Sequence, residues 1–173
     1  MNHPERKDIR LKNYDYSRNG RYFITVCTAD KNYCLSEIKG VGDGVLDVPN
    51  VILTDIGKIV NDQINEINFV YHDIKIEKFV IMPDHVHMIV FICHENASAG
   101  GTSRTPSPTN SAIPSLISAF KRFTNKKTGF SIWQRSYYDR IIRSEKEYTE
   151  ICRYIDNNPI YWLNNIFEQN TWR

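Results

Sequence analysis

The chain has no long apolar run. Its longest uninterrupted stretch is Met88 to Cys93, far short of the ~20 residues that span a bilayer, and the N-terminal Met1-Asn-His-Pro-Glu-Arg-Lys-Asp lacks the apolar segment of a secretory signal. These absences lead to the expectation of a soluble cytoplasmic protein with no membrane partner. Cysteine is sparse too. Cys27, Cys34, Cys93 and Cys152 are scattered without a Cys-x-x-Cys pair, so neither a zinc knuckle nor a dense disulfide framework is indicated, and all four read as reduced thiols. Nor is there an excess of one charge. A net charge of +2 is too small to argue nucleic-acid binding by itself.

What is present fits a single domain over residues 1–173, because 41% hydrophobic and 24% charged residues suffice for one sizeable core. The cations are unevenly spread. Lys121, Arg122, Lys126 and Lys127 cluster, and Arg135, Arg140, Arg143, Lys146 and Arg153 follow among Trp133, Tyr137, Tyr138, Tyr148 and Tyr154. Cations beside aromatic rings suit a single-strand nucleic-acid surface, and equally a solvated helix face over core aromatics. The arginines divide between phosphate contacts and ordinary surface charge, and Trp133 and Trp162 suit the core better than base stacking.

Arg21–Thr28, aromatic and β-branched after Asn19-Gly20, reads as a first strand. Gly40 to Pro49 is loop-like. From a cap at Thr54 or Asp55, Ile56, Ile59, Val60, Ile64, Ile67 and Val70 recur at helical spacing. Ile74–Met82 reads as a strand, Pro83-Asp84 as a tight turn and His85–Ile92 as the returning strand. Ala97 to Ser111 is too rich in Ser, Thr, Pro and Gly to pack, and is expected to be a mobile loop. Pro114 suits the first turn of a further helix with Ile113, Leu116, Ile117, Phe120 and Phe123 as its stripe. Ser131-Ile-Trp-Gln-Arg135 suggests another extended segment, Ser144-Glu-Lys-Glu147 a capping box, and Pro159 the end of the last helix. This order predicts an α+β fold, an antiparallel sheet covered by helices in a ferredoxin-like arrangement.

His85 and His87 lie in the middle of an apolar strand. Residues i and i+2 share a face, so both imidazoles project together while Val86 packs on the other side. Burying two imidazoles is unfavourable without partners, and a metal ion is one explanation. On the last helix, Tyr154 flanks the stripe Tyr148, Ile151, Cys152 and Ile155, and Asn158 lies one turn above it. If that edge meets the histidine strand, two imidazoles, a carboxamide and a phenol converge. Asp84 reads as a turn residue or as a hydrogen-bond partner of a histidine. His3, His72 and His94 have no partner at ligand spacing.

The segment Pro83-Asp-His-Val-His87 matches the His-hydrophobe-His motif of HUH endonucleases. Together with Trp133-Gln-Arg-Ser-Tyr-Tyr-Asp-Arg-Ile-Ile-Arg143, Tyr154-Ile-Asp-Asn-Asn-Pro159 and the segment from Lys12 to Thr28, it resembles the REP-associated branch of the single-tyrosine HUH transposases. The resemblance covers about Leu11 to Trp162. It implies an HUH nuclease fold and a transposase that cleaves and rejoins single-stranded DNA near short hairpins through a 5′-phosphotyrosine. It further implies Tyr154 as nucleophile, His85, His87 and Asn158 as ligands of Mg²⁺ or Mn²⁺, and a monomer or homodimer associated with the nucleoid. Lys121, Arg122, Lys126, Arg135, Arg140 and Arg143 are the candidate DNA contacts. Tyr137 and Tyr138 compete as nucleophiles but lie upstream of the helix. Other readings are a replication-initiator or relaxase nuclease and a catalytically silent DNA-binding domain. A histidine-triad hydrolase would need a third histidine where Ile89 stands.

Overall fold

In chain order the elements are β1 (Gly20–Cys27), β2 (Ser36–Lys39), β3 (Asn50–Leu53), α1 (Asp55–Val70), β4 (Ile74–Ile81), β5 (His85–Ile92), α2 (Ala112–Thr128), β6 (Tyr138–Ile142) and α3 (Glu145–Thr171). This computed structural model describes residues 18–40, 49–94 and 112–171, and side chains only as far as 165 in α3. The expected loop 97–111 and His3 lie outside the described residues. A four-stranded antiparallel sheet runs in the order β4-β5-β1-β6, with β2 and β3 forming a separate hairpin. The fold is therefore α+β, an antiparallel sheet packed against helices.

Alternation along β5 divides the core in two. Val86, Met88, Val90 and Ile92 join Tyr22, Ile24 and Val26 of β1 beneath Val60, Ile64 and Ile67 of α1 and Ile113, Leu116, Ile117 and Phe120 of α2. On the opposite face a smaller cluster, Ile89, Ile142, Ile151 and Ile155, seats α3. The helices thus follow from the apolar stripes read in the sequence. At the start of α1, Thr54 accepts from Gly57 N at 3.0 Å and donates to Cys34 O at 2.6 Å. A Cβ on Gly57 would sit 1.9 Å from Leu35 O, so only glycine lets α1 approach the chain so closely.

Three expectations need correction. The sixth strand is Tyr138–Ile142 rather than Ser131–Arg135, of which Trp133 alone makes an isolated bridge, to Thr28. Trp133 is a core residue, as its aromatic character led one to expect, its ring tilted by 40° against Phe120 and its indole N–H donating to Thr124 Oγ1 at 2.6 Å. The β2–β3 hairpin was not foreseen. Finally, α3 does not stop at Pro159 but runs through it to Thr171, with Asn158 inside the helix. Proline removes one helical hydrogen bond, but Trp162 beyond it packs against His85 and Tyr33, and this tertiary contact carries the helix on. The capping box is half formed: Ser144 Oγ accepts from Glu147 N at 3.2 Å, whereas the Glu147 carboxylate accepts from Arg143 N at 2.9 Å.

Candidate active site

Antiparallel register builds the site row by row across the sheet. His87 of β5 lies between Val80 of β4 and Thr25 of β1, and Thr25 is opposite Tyr138 of β6. The next row toward the β4–β5 turn pairs His85 with Cys27. Because the pleat period is two, these side chains share the face covered by α3. His85 and His87 ring centroids are 4.5 Å apart.

Each imidazole is anchored through Nδ1. His85 Nδ1 is 2.5 Å from Asp84 Oδ1, and His87 Nδ1 is 2.8 Å from Thr25 Oγ1. The carboxylate thus occupies Nδ1 of His85 and leaves Nε2 as the ring nitrogen that Asp84 does not engage. Asp84 serves both roles weighed for it, since its backbone carbonyl also accepts from Thr28 N and Oγ1. His87 is only 6% exposed. Burial, reinforced by neighbouring His85 and partly opposed by Asp84, pushes its pKa down to about 3, so the ring is neutral at physiological pH.

From the other side, α3 brings Tyr154 to the same point. Its hydroxyl lies 3.4 Å from His87 Nε2, and Phe23 is stacked on His87 and set edge-on to Tyr154, at 5.1 and 6.0 Å between centroids. The phenol remains 42% exposed, open to a substrate. Asn158, one turn on, is buried at 7%. Among the described residues no three His, Cys, Asp or Glu side chains converge as a ready metal set. The donors that the structure brings together are the two imidazoles, each with Nδ1 already engaged, and the Tyr154 hydroxyl, with Asn158 buried one helical turn further on. Such a mixed nitrogen and oxygen set fits a divalent ion that keeps open positions for substrate.

The predicted basic residues do not form one patch. Lys121 is half-buried, and its ammonium donates to the carbonyls of Gln134 at 2.7 Å, Ser136 at 2.8 Å and, more weakly, Arg135 at 3.4 Å. It ties the segment before β6 to α2, and burial pushes its pKa down to about 8. Arg122 and Lys126 are exposed on α2, across the sheet from the histidines, Arg122 lying over the Phe123 ring at 5.0 Å. Arg140 shares a row with Phe23 on the α3 side and pairs with Glu147 at 2.7 Å. Arg143 is exposed just past β6. Arg135 is exposed and follows Gln134, whose N–H donates to Cys27 O, opposite His85.

Three residues beside the histidines or Tyr154 are not evident from the sequence. Thr25 could have been found only by knowing the β1–β5 register. Tyr161 and Trp162 lie two turns beyond Tyr154, past a proline that masked the continuing helix. Tyr161 is stacked 6.5 Å from Tyr154 at 29°, and Trp162 lies 6.0 Å from His85. A second tyrosine is therefore beside the site. Tyr138 is on the correct face but on the edge strand, whereas Tyr137 packs against the larger core. His94 pairs with Asp73 at the surface, His72 is exposed, and the four cysteines are free.

No protein-family model matches the chain. Among solved structures, a REP-associated tyrosine transposase bound to a REP hairpin superposes with a TM-score of 0.59 at 19% identity, covering 88% of this chain and 73% of that one. At that identity the likeness is one of fold. No helix among the described residues is long and apolar enough to cross a membrane. A protein of Haemophilus influenzae, described only as uncharacterized, is 36% identical over 169 residues, which cover 91% of this chain and 89% of that protein. The chain belongs to the family of that Haemophilus influenzae protein.

Proposed function

We propose that this protein is a single-tyrosine HUH transposase of the REP-associated kind, cleaving and rejoining single-stranded DNA beside short hairpins. The observation that carries the proposal is the meeting of Tyr154 Oη with His87 Nε2 at 3.4 Å, across 67 residues of sequence and from opposite layers of the fold. The fold likeness to a transposase seen with a DNA hairpin supports the same reading.

In this reading the Tyr154 oxygen attacks the scissile phosphorus. An O–P bond forms to Tyr154, the P–O3′ bond breaks, the phenolic proton leaves to water on the exposed side of the ring, and the departing 3′-oxygen takes up a proton. The product is a 5′-phosphotyrosine and a free 3′-hydroxyl. The phosphotyrosine conserves the bond, so a new 3′-hydroxyl can reverse the step and join strands without ATP. His85, His87 and Asn158 would hold Mg²⁺ or Mn²⁺, which when bound polarises the phosphate and stabilises the leaving oxygen. His87 serves as a ligand rather than a base, because burial keeps its basicity low. Asp84 and Thr25 hold the two rings in orientation. Arg135, Arg140 and Arg143 are the proposed phosphate contacts nearest this face, with Arg122 and Lys126 reserved for DNA that wraps around α2.

The test is covalent capture. Hairpin-bearing single-stranded oligonucleotides with Mn²⁺ should yield a protein–DNA adduct that survives a denaturing gel, and Tyr154→Phe should abolish it while Tyr138→Phe does not. An adduct formed by Tyr154→Phe would dismiss the nucleophile, and none from wild type across a set of hairpins would favour a DNA-binding domain without cleavage.

A further inference from the structure

Two aromatic rings beside the site are open to solvent. Tyr161 is 50% exposed and Tyr33 65%, and what sets them apart from other exposed rings is that each touches a ring of the site. Their placement is not scattered. Tyr161 extends the Tyr154 ring at 6.5 Å and 29°, whereas Tyr33 meets Trp162 edge-on at 5.3 Å, and Trp162 in turn faces His85. One aromatic shelf thus flanks the tyrosine side of the site and a second flanks the histidine side. The second is firmly held. Leu35 N donates to Pro83 O and Cys34 N to Asn32 O, so the backbone carrying Tyr33 is tied to the turn that presents His85.

We infer that the two shelves are stacking platforms for unpaired bases, with Tyr161 taking a base on the nucleophile side of the cleaved phosphate and Tyr33 with Trp162 taking one on the other side. The inference rests on the single-strand cleavage reading and deepens it, naming what distinguishes substrate from duplex. Every nucleobase has a π-face, so such platforms bind single strands with little sequence preference. A base in a duplex is already stacked and cannot present that face. Exclusion of duplex at the site would follow from these rings, separately from any hairpin contact made by the basic residues.

Fluorescence anisotropy on the full chain, without metal, tests this with three labelled probes: oligothymidine of about twelve nucleotides, a length within typical single-strand site sizes, an abasic sugar-phosphate strand of equal length and charge, and a duplex. Wild type should bind oligothymidine about tenfold or more tighter than the abasic strand. Tyr161→Leu should narrow that gap several-fold, Tyr161→Phe should preserve it, and Tyr33→Leu should narrow it independently. Thermal melts of each variant separate lost stacking from lost folding; Tyr161→Leu should melt like wild type, and binding by Tyr33→Leu, which loses an edge contact to Trp162, is compared at a temperature where it is fully folded. Equal binding of oligothymidine and abasic strand by wild type, or an undiminished gap in both leucine variants, overturns the inference. A clear gap without adduct formation would instead retain the platforms and refute cleavage, whereas adduct formation without a gap would do the reverse.

Discussion

The two faces of β5 carry the same backbone and opposite chemistry. Val86, Met88, Val90 and Ile92 point into a sealed hydrophobic core beneath α1 and α2. His85, His87 and Ile89 point toward α3, where only Ile89 enters a hydrophobic cluster. The difference arises from α3 itself. Its turn at Ile151 and Ile155 closes over Ile89, but the neighbouring Tyr154 meets His87 and the later Trp162 meets His85. One face supplies most of the burial that stabilises the fold, which leaves the other free to keep polar groups at a depth where a purely structural sheet would have leucines.

The strongest way to break this division is to truncate the sealed side. Met88→Ala should destabilise the protein by about 2–5 kcal/mol, measured by urea unfolding, while the surviving folded fraction keeps its affinity for Mn²⁺. The next largest effect belongs to the open side. His85→Ala should weaken Mn²⁺ binding by more than about a hundredfold in calorimetry and shift stability far less than Met88→Ala. If His85→Ala bound the ion like wild type, or unfolded as readily as Met88→Ala, the histidine face would be core rather than site.

How much of this division was readable beforehand depended on whether its cause was local. The alternation of β5, the amphipathic stripes of α1 and α2, and the pairing of His85 with His87 are period-two and period-3.6 patterns that a single chain displays directly. Tyr154 and Asn158 were also legible as one helix edge, although that Tyr154 meets His87 required tertiary structure. The failures were non-local. Pro159 is a strong local stop signal that the packing of Trp162 overrides, and with it Tyr161 was hidden. Ser131–Arg135 has strand-like composition, but Trp133 is drawn into the α2 core, so the segment makes only an isolated bridge and the regular ladder with β1 begins at Tyr138. Nor does a cation in a basic cluster give any sign in sequence that the carbonyls of residues 134–136 will surround it, as they surround Lys121.

A smaller effect sharpens the contrast through pH. The folded His87 resists protonation until about pH 3, against 6.5 for the free side chain. Between those values the unfolded chain binds a proton that the folded chain does not, so stability rises with pH across this window and levels off above it. The contribution is about 1.4 kcal/mol per pH unit, or about 2 kcal/mol lost at pH 5 relative to neutral. Metal-free His87→Gln should lack it. Urea midpoints at several pH values would show the two slopes diverging, and parallel slopes would mean that the ring is solvated and the face more open than its burial indicates.

The smallest expected effect concerns the link between the faces. Lys121 starts on α2, on the sealed side, and its three N–H donors hold the carbonyls of residues 134–136 just before β6, the strand that carries Tyr138 and Arg140 to the open side. Lys121→Met keeps the aliphatic stem and removes the donors, leaving three carbonyls to find water. The expected loss is about 1–2 kcal/mol, the value of hydrogen bonds to a charged group offset by renewed solvation. Because that ammonium is engaged internally, the salt dependence of single-strand DNA binding should keep its wild-type slope in Lys121→Met, whereas Arg135→Met should reduce the slope by about one counterion. A reversed pair of outcomes, unchanged stability with a shallower slope in Lys121→Met, would return Lys121 to the DNA and detach the two faces from one another.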